Sequence, residues 1–337
     1  MRDLPPWARE SPDMITGIHH TGLSVRDLDA AIAFYTRERS FTLLYRFEIA
    51  DSDANRTMLQ LPNAGARGAF LQGALGCLEI FQFSAEWDGD FGEREVYTAG
   101  IRHICLQTGI SDALFDAMCA SGASAHARPA GLGTGNSYAY IRDPEGNLLE
   151  LEGTPWAPPA ATRSWFAHTA LVTPDIERLS GFYAMLTGID VHQRGSFGPD
   201  RKFDIVAGIA DVQFDGAWLR LANAELEFWQ YRQPATISVA RRNAAEIGWN
   251  HLCFESDDID ADYARLAAAG VEMHGAPMKF GVARVAFGRD PDGNIFELLQ
   301  PGPSAGVTVG AMLAKPDGQL IDTARTAYRS VAAGAAA

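Results

Sequence analysis

The chain has 337 residues, 47% of them hydrophobic, and a formal charge of −14 without a basic run, so it can core two domains and is a poor general partner for nucleic acid or an anionic membrane. No apolar stretch reaches the roughly 18–20 residues of a membrane span, and the opening "MRDLPPWARESPDM" lacks a signal-peptide core, which makes the cytoplasm the expected location. Four cysteines (Cys77, Cys105, Cys119 and Cys253) with no CxxC pair suit a reducing compartment.

In chain order, "GIHHTGLSV" reads as a strand from near residue 15, and Leu28, Ala31, Ile32 and Tyr35 then recur at helical spacing. Further strand-like runs end on "CLEIFQF". A second module starts near residue 100 with "GIRHICLQT" and closes on the turn "DPEGN" and the strand "NLLELEG". The Pro-rich "GTPWAPPAATR" (153–163) reads as a linker. A third module follows from near 165, with "HTALVT", a helix through Ile176, Leu179 and Tyr183, and a last strand "ELEFWQY". The fourth begins near 248 with "NHLCFE" and ends on "DPDGN" and "NIFELLQ". The expected fold class is α+β, built of four βαβββ modules. Residues 15–153 and 164–301 are the expected domains, and 302–337 a tail whose residues 313–332 form a loosely attached helix.

The halves repeat each other. His20 and His168, Glu79 and Glu227, and His103 and His251 are each 148 positions apart, and Glu150 and Glu297 are 147 apart. A histidine on a first strand and a glutamate on a last strand converge when those strands are neighbours in a curled sheet, because alternate side chains share a face. Two facing modules then gather two imidazoles and two carboxylates, a set suited to a first-row divalent ion with room for water or substrate. Pairing within each half gives His20, Glu79, His103, Glu150 and His168, Glu227, His251, Glu297. An exchanged pairing joins His20 and Glu79 to His251 and Glu297, and the linker length allows both. One strand histidine alone is usually structural, and one glutamate in an apolar strand usually faces solvent; eight matching types at matching offsets point instead to metal binding.

The modules, the "HTGLSV" opening with His20, and "DPEGN" with Glu150 seven residues beyond its Asp resemble the vicinal oxygen chelate superfamily, which includes glyoxalase I, methylmalonyl-CoA epimerase, extradiol dioxygenases and bleomycin-resistance proteins. The resemblance covers roughly residues 15–300. It implies paired modules in cupped mixed sheets with helices outside, and a metal (Zn, Ni, Co, Mn or Fe) held by the eight residues just named. A ligand on all four strands is more similar to the glyoxalase type than to the three-ligand dioxygenases. The implied activity is a lyase, isomerase or epimerase moving a proton beside a chelated carbonyl, with Glu150 and Glu297 as preferred bases and Glu79 and Glu227 as runners-up. An extradiol Fe(II) dioxygenase is the main rival, and a non-catalytic binding protein of the resistance type the third reading.

The expected partner is a small molecule. Near the second half's ligands lie Trp218, Trp229, Tyr231 and Trp249 with Arg220 and Arg232, which suit an aromatic or carboxylate-bearing substrate; the first half has Phe70, Phe81 and Phe83, and Gln72 in place of the arginine. His126 and His274, again 148 apart, read as structural, and Cys105 and Cys253 as small core residues rather than nucleophiles. No basic set that would clamp glutathione stands out, and a homo-oligomer is compatible with the sequence.

Overall fold

A computed structural model describes residues 15–37, 40–85, 94–161 and 163–335. The first module comprises β1 (Ile15–Ser24), α1 (Leu28–Arg37), β2 (Phe41–Ile49), α2 (Asp53–Leu59), β3 (Ala66–Gly73) and β4 (Cys77–Phe83). The second comprises β5 (Gly100–Thr108), α3 (Ser111–Ala120), the short β6 (Ser124–Ala125) and β7 (Ala130–Gly131), then β8 (Ser137–Arg142) and β9 (Leu148–Gly153). The third runs through β10 (Trp165–Val172), α4 (Ile176–Thr187), β11 (Val191–Phe197), α5 (Arg201–Ala207), β12 (Gln213–Arg220) and β13 (Glu225–Gln233). The fourth has β14 (Gly248–Ser256), α6 (Ile259–Ala268), the short β15 (Glu272–Met273) and β16 (Met278–Phe280), then β17 (Ala283–Arg289) and β18 (Ile295–Pro301). Two helices close the chain, α7 (Val309–Ala314) and α8 (Pro316–Ala335).

The α+β architecture of four modules in two mixed sheets is as expected, and the short helices α2 and α5 are additions to the predicted module. Side-chain oxygens start both: Ser52 accepts from the Asn55 N–H and Asp200 from the Lys202 N–H. The sheet order β15-β17-β18-β14-β1-β4-β3-β2 joins the first module to the fourth, and β11-β12-β13-β10-β5-β9-β8-β6 joins the second to the third. The exchanged pairing is therefore the one adopted, so the sequence repeats and the sheets divide the chain differently. In each sheet two first strands meet antiparallel at the centre, β1 with β14 and β10 with β5, and each pairs parallel with the last strand of its own module.

Strand alternation sets what faces each side of a sheet. In β18, Phe296 and Leu298 join the main core while Ile295 and Leu299 belong to the apolar cluster lining the cup, on the face that carries Glu297. The main core takes side chains from both sheets and from α1, α3, α4 and α6, so the helices lie outside the cups. The sheets touch near their centres, where the Thr21 and Thr169 hydroxyls are 3.0 Å apart.

The repeated Asp-Pro-acid-Gly-Asn turns brace the modules of each half against one another. Asp290 accepts from the Asp292 and Asn294 backbone N–H groups, from the Asn294 side-chain amide (2.8 Å) and from the buried Tyr183 hydroxyl of α4 (3.0 Å). Asp143 and Tyr35 repeat the arrangement at 2.8 Å. Burial pushes the Asp290 carboxyl up to about 6. Tyr183→Phe removes one donor from this buried acceptor and is expected to cost about 1–3 kcal/mol, seen as a lower urea midpoint at unchanged slope.

The tail is docked, which corrects the loosely attached helix expected over 313–332. Ile321 is buried in α8, the Arg325 guanidinium donates to the Asn223 carbonyl (3.0 Å), and Arg329 pairs with Glu225 (2.8 Å).

Candidate metal centres in two cups

The central strands place four of the eight predicted ligands at the floor of each cup. In the first cup His20 (β1), Glu79 (β4), His251 (β14) and Glu297 (β18) converge; in the second His168 (β10), Glu227 (β13), His103 (β5) and Glu150 (β9) do. The first floor is tight. His20 Nε2 lies 3.0 Å from His251 Nε2, 3.1 Å from Glu79 Oε2 and 3.2 Å from Glu297 Oε2, and His251 Nε2 is 3.3 and 3.7 Å from the same carboxylate atoms of Glu297 and Glu79. Donors about 2.0–2.2 Å from a first-row divalent ion, at tetrahedral to octahedral angles, sit about 2.8–3.6 Å apart. The donor set therefore fits such an ion.

Tautomers support the fit. His19 Nε2 lies 3.3 Å from the Val307 carbonyl, so it carries the proton; His19 Nδ1 is then the acceptor from His20 Nδ1 at 2.9 Å, and His20 Nε2 is the nitrogen left facing the cup floor, where an ion would displace its proton. His251 Nδ1 donates to Asn250 Oδ1 at 2.6 Å and does the same for its own Nε2. Glu297 Oε2 is buried and receives no aligned N–H, although two imidazole nitrogens are close. Such an oxygen is costly to bury without a cation or donor.

Both supporting residues occupy β-bulges. Ile18 pairs with Phe254 and His20 with Cys253, which leaves His19 out of register; Gly22 pairs with His251 and Leu23 with Trp249, which leaves out Asn250. A bulge re-aims a side chain that strict alternation would send to the other face. Gly22 makes room for the assembly, since a Cβ there would lie 2.1 Å from His251 Nδ1 and 2.3 Å from Asn250 Oδ1.

The second cup has the same bulges with other residues in them, Ala167 and Arg102, and Ala170 stands where Gly22 does in the first. His168 Nε2 lies 2.9 Å from Glu150 Oε2, 3.3 Å from Glu227 Oε2 and 3.4 Å from His103 Nε2, which is 3.6 Å from Glu150 Oε2. His103 Nδ1 is buried without a partner, and Glu227 Oε1 accepts from the Trp218 indole at 2.9 Å.

The field at both floors favours positive charge. Burial alone would lower His20, yet the Glu79 and Glu297 carboxylates outweigh it and raise the imidazole to about 9; Glu227 and Glu150 raise His168 likewise to about 9. Burial works against ionised Glu297 and Glu150 too, but their two histidines hold each well below the usual carboxylate range. Glu227 is pushed the other way, up to about 8, by burial.

The remaining candidates fall into place around these floors. A cavity of about 860 Å3 opens over all four residues of the first cluster, and one of about 480 Å3 over Glu150, His168 and Glu227 of the second. Phe70, Phe81, Phe83 and Gln72 line the first; Trp218, Trp229, Tyr231 and Arg220 line the second. Trp249 instead donates to the Leu148 carbonyl in the core, and Arg232 pairs with Asp215 (3.4 Å). His126 and His274 contact backbone carbonyls of the short helices, Ile205 (2.9 Å) and Met58 (2.8 Å), in keeping with a structural role. Cys105 and Cys253 are fully buried with thiols pushed far up by that burial, which removes them as nucleophiles. Beyond the sequence-derived set, Glu152 enters the second cup, where the Gln107 (2.7 Å) and Asn136 (2.5 Å) amides donate to it; its place two residues after Glu150 was the signal for it.

Two cupped sheets, each with a His2Glu2 floor under a cavity, define a four-module chelate-type protein. Residues 17–151 and 167–287 each match a family model described as the Glyoxalase/Bleomycin resistance protein/Dioxygenase superfamily, and the chain belongs to that superfamily. It is 28% identical over 169 residues to a lactoylglutathione lyase of Pseudomonas putida, spanning 47% of this chain and 97% of that protein. It is 24% identical over 317 residues to glyoxalase I of Saccharomyces cerevisiae, spanning 87% and 95%. Among solved structures, glyoxalase I from Zea mays shares the fold, with a TM-score of 0.60 at 18% identity over 84% of this chain and 92% of that one. Among the described residues no helix is long and apolar enough to cross a membrane.

Proposed function

We propose that the protein is a divalent-metal-dependent lyase or isomerase of the glyoxalase type, acting on a small-molecule substrate by proton transfer beside a carbonyl. The observation that carries this reading is the convergence of a ligand from each of four strands on one floor, open to a substrate-sized cavity. Bound there, a Zn, Ni, Co, Mn or Fe ion would supply Lewis-acid stabilisation of negative charge developing on substrate oxygen. The histidines have Nε2 committed to the floor. The carboxylates remain as the groups that can hold a proton, and Glu297 and Glu150 are the proposed bases, with Glu79 and Glu227 as alternates. Of the preferred pair, Glu297 lies in the more apolar cup. The apolar wall around it, including Phe81, Phe287 and Leu299, keeps water from competing for that proton.

The dioxygenase reading needs a three-ligand floor, with one glutamate swung away. Glu79 and Glu227 both point inward, at 3.1 and 3.3 Å from His20 and His168, which favours the proton-transfer reading. Protein loaded in turn with Zn, Ni, Co, Mn and Fe(II) is expected to form lactoylglutathione from methylglyoxal and glutathione, or to exchange solvent deuterium into an α-carbonyl substrate, without oxygen uptake. Oxygen consumption with a catechol by the iron form, and no exchange, would reverse the assignment.

A further inference from the structure

The two cavities are built from equivalent positions of the repeat, so their differences can be compared residue by residue. Where the first presents Leu44 and Gln72, the second presents His192 and Arg220, in each case 148 positions on. Where the first presents Val285 and Leu299, the second presents Tyr138 and Glu152. The registers confirm the equivalence: Val285 pairs with Leu299 as Tyr138 pairs with Glu152, and Gln72 pairs with Cys77 as Arg220 pairs with Glu225. At these four positions one wall is uncharged and the other carries ionisable groups. Lys315 and Glu48 also line the first cavity, with opposite charges, and the Lys315 ammonium donates to Gln72 at 2.5 Å.

In the second cavity a single carboxylate oxygen, Glu225 Oε1, serves Arg220 Nε (2.6 Å), Arg329 Nη2 (2.8 Å) and His192 Nε2 (3.7 Å). One negative charge thus faces two guanidiniums, which leaves an excess of positive charge beside the cavity. Lys202 and the buried Arg325 also line the cavity, each with its charge matched, by Asp200 (3.3 Å) and by Asp322 (2.8 Å). Glu152 is held away from that edge by the Gln107 and Asn136 amides, which donate to it. Trp218 and Trp229 offer aromatic faces in the same cavity, at 5.2 Å between ring centres.

We propose that the two cups hold different classes of ligand. The cup of His20 and His251 takes a neutral molecule with an apolar body; the cup of His103 and His168 takes an aromatic molecule bearing a carboxylate, received by Arg220 and Arg329. The proposal rests on the preceding reading only in treating both cavities as substrate pockets, and it deepens that reading by naming what each accepts. Arg329 lies on α8, so the docked tail completes the second pocket's anion-binding edge.

Phenylacetate and phenylacetone, an anion and its neutral near-isostere, separate the pockets. Among the described residues no tryptophan lines the first cavity, so in protein carrying Trp7→Phe and Trp87→Phe the tryptophan emission reports the second while calorimetry reports both. Phenylacetate is expected to change the emission, and Arg220→Gln to weaken it at least about tenfold with phenylacetone unaltered. Phenylacetone is expected to bind without changing the emission, and Leu299→Glu, checked for an unchanged melting temperature, to weaken it at least about tenfold. Unchanged phenylacetate affinity in Arg220→Gln, with or without a lower melting temperature, would overturn the proposal and leave Arg220 as an anchor for α8. Equal emission changes from both ligands would overturn it too. Both readouts are independent of turnover: selective pockets in an inactive protein would reject the lyase reading alone, and unselective pockets in an active one would reject this proposal alone.

Discussion

The double variant Glu150→Gln, Glu297→Gln is expected to lose about 10^2- to 10^4-fold in kcat/KM, the usual worth of a general base, while keeping its fold. Glutamine matches the shape of each side chain and still offers one acceptor to the neighbouring imidazoles, so what disappears is the capacity to take a proton. The single variants divide the activity between the cups, and a drop confined to Glu297→Gln identifies the first cup as the working one. Stability should respond with a definite pH signature in metal-free protein. His20, ordinarily at 6.5, is held at about 9 in the fold, so its stabilisation is full below 6.5 and is lost as pH rises through about 9. Glu297 is depressed below its ordinary 4.5, so its share is present above 4.5 and fades as pH falls toward the folded value. Glu297→Gln should therefore lower the melting temperature most between about pH 5 and 6.5 and hardly at all above about pH 9. Full turnover in both single variants and in the double would remove these residues as bases; retained turnover there with loss in Glu79→Gln or Glu227→Gln would move the role to the alternates.

The repeat made the modules and all eight floor residues legible, because offsets of 148 and 147 survive any uncertainty about strand ends. It could not choose the pairing. The four first strands, from "HTGLSV" to "NHLCFE", are so alike that each could lie antiparallel to any other, and the choice is made over distances of more than 200 residues, as between His20 and His251. His19 and Asn250 escaped notice for a different reason. Period-two alternation puts neighbours of a ligand on the opposite face, and only the bulges bring these two back beside His20 and His251. The docking of α8 was legible in part, since Ile321 and Arg325 are four residues apart and so share a face, yet their receiving groups, the Ala222 and Asn223 carbonyls, are backbone atoms that no pattern marks.

Those bulge residues lead to a difference between the cups in metal affinity, which equilibrium competition with a chromogenic chelator measures. In the first cup His19 and Asn250 fix both tautomers with Nε2 toward the floor; in the second, Ala167 offers His168 nothing, His103 Nδ1 is orphaned, and the Arg102 guanidinium adds positive charge next to a ligand. The guanidinium is itself strained electrostatically, since burial lowers it to about 9. Loss of outer hydrogen-bond partners generally costs about 10–100-fold in metal affinity, so the first cup should bind Zn or Co at least about tenfold more tightly than the second. Asn250→Ala should erase most of that advantage by freeing the His251 ring. In the opposite direction, Arg102→Asn should tighten the second cup by giving His103 Nδ1 an acceptor and removing the opposing charge. To attribute each isotherm to its cup, His251→Ala and His168→Ala would each delete one ion per chain. Two equal affinities in the unmodified protein, unmoved by Asn250→Ala, would show that the floor ligands alone set the binding and that the bulges have no part in it.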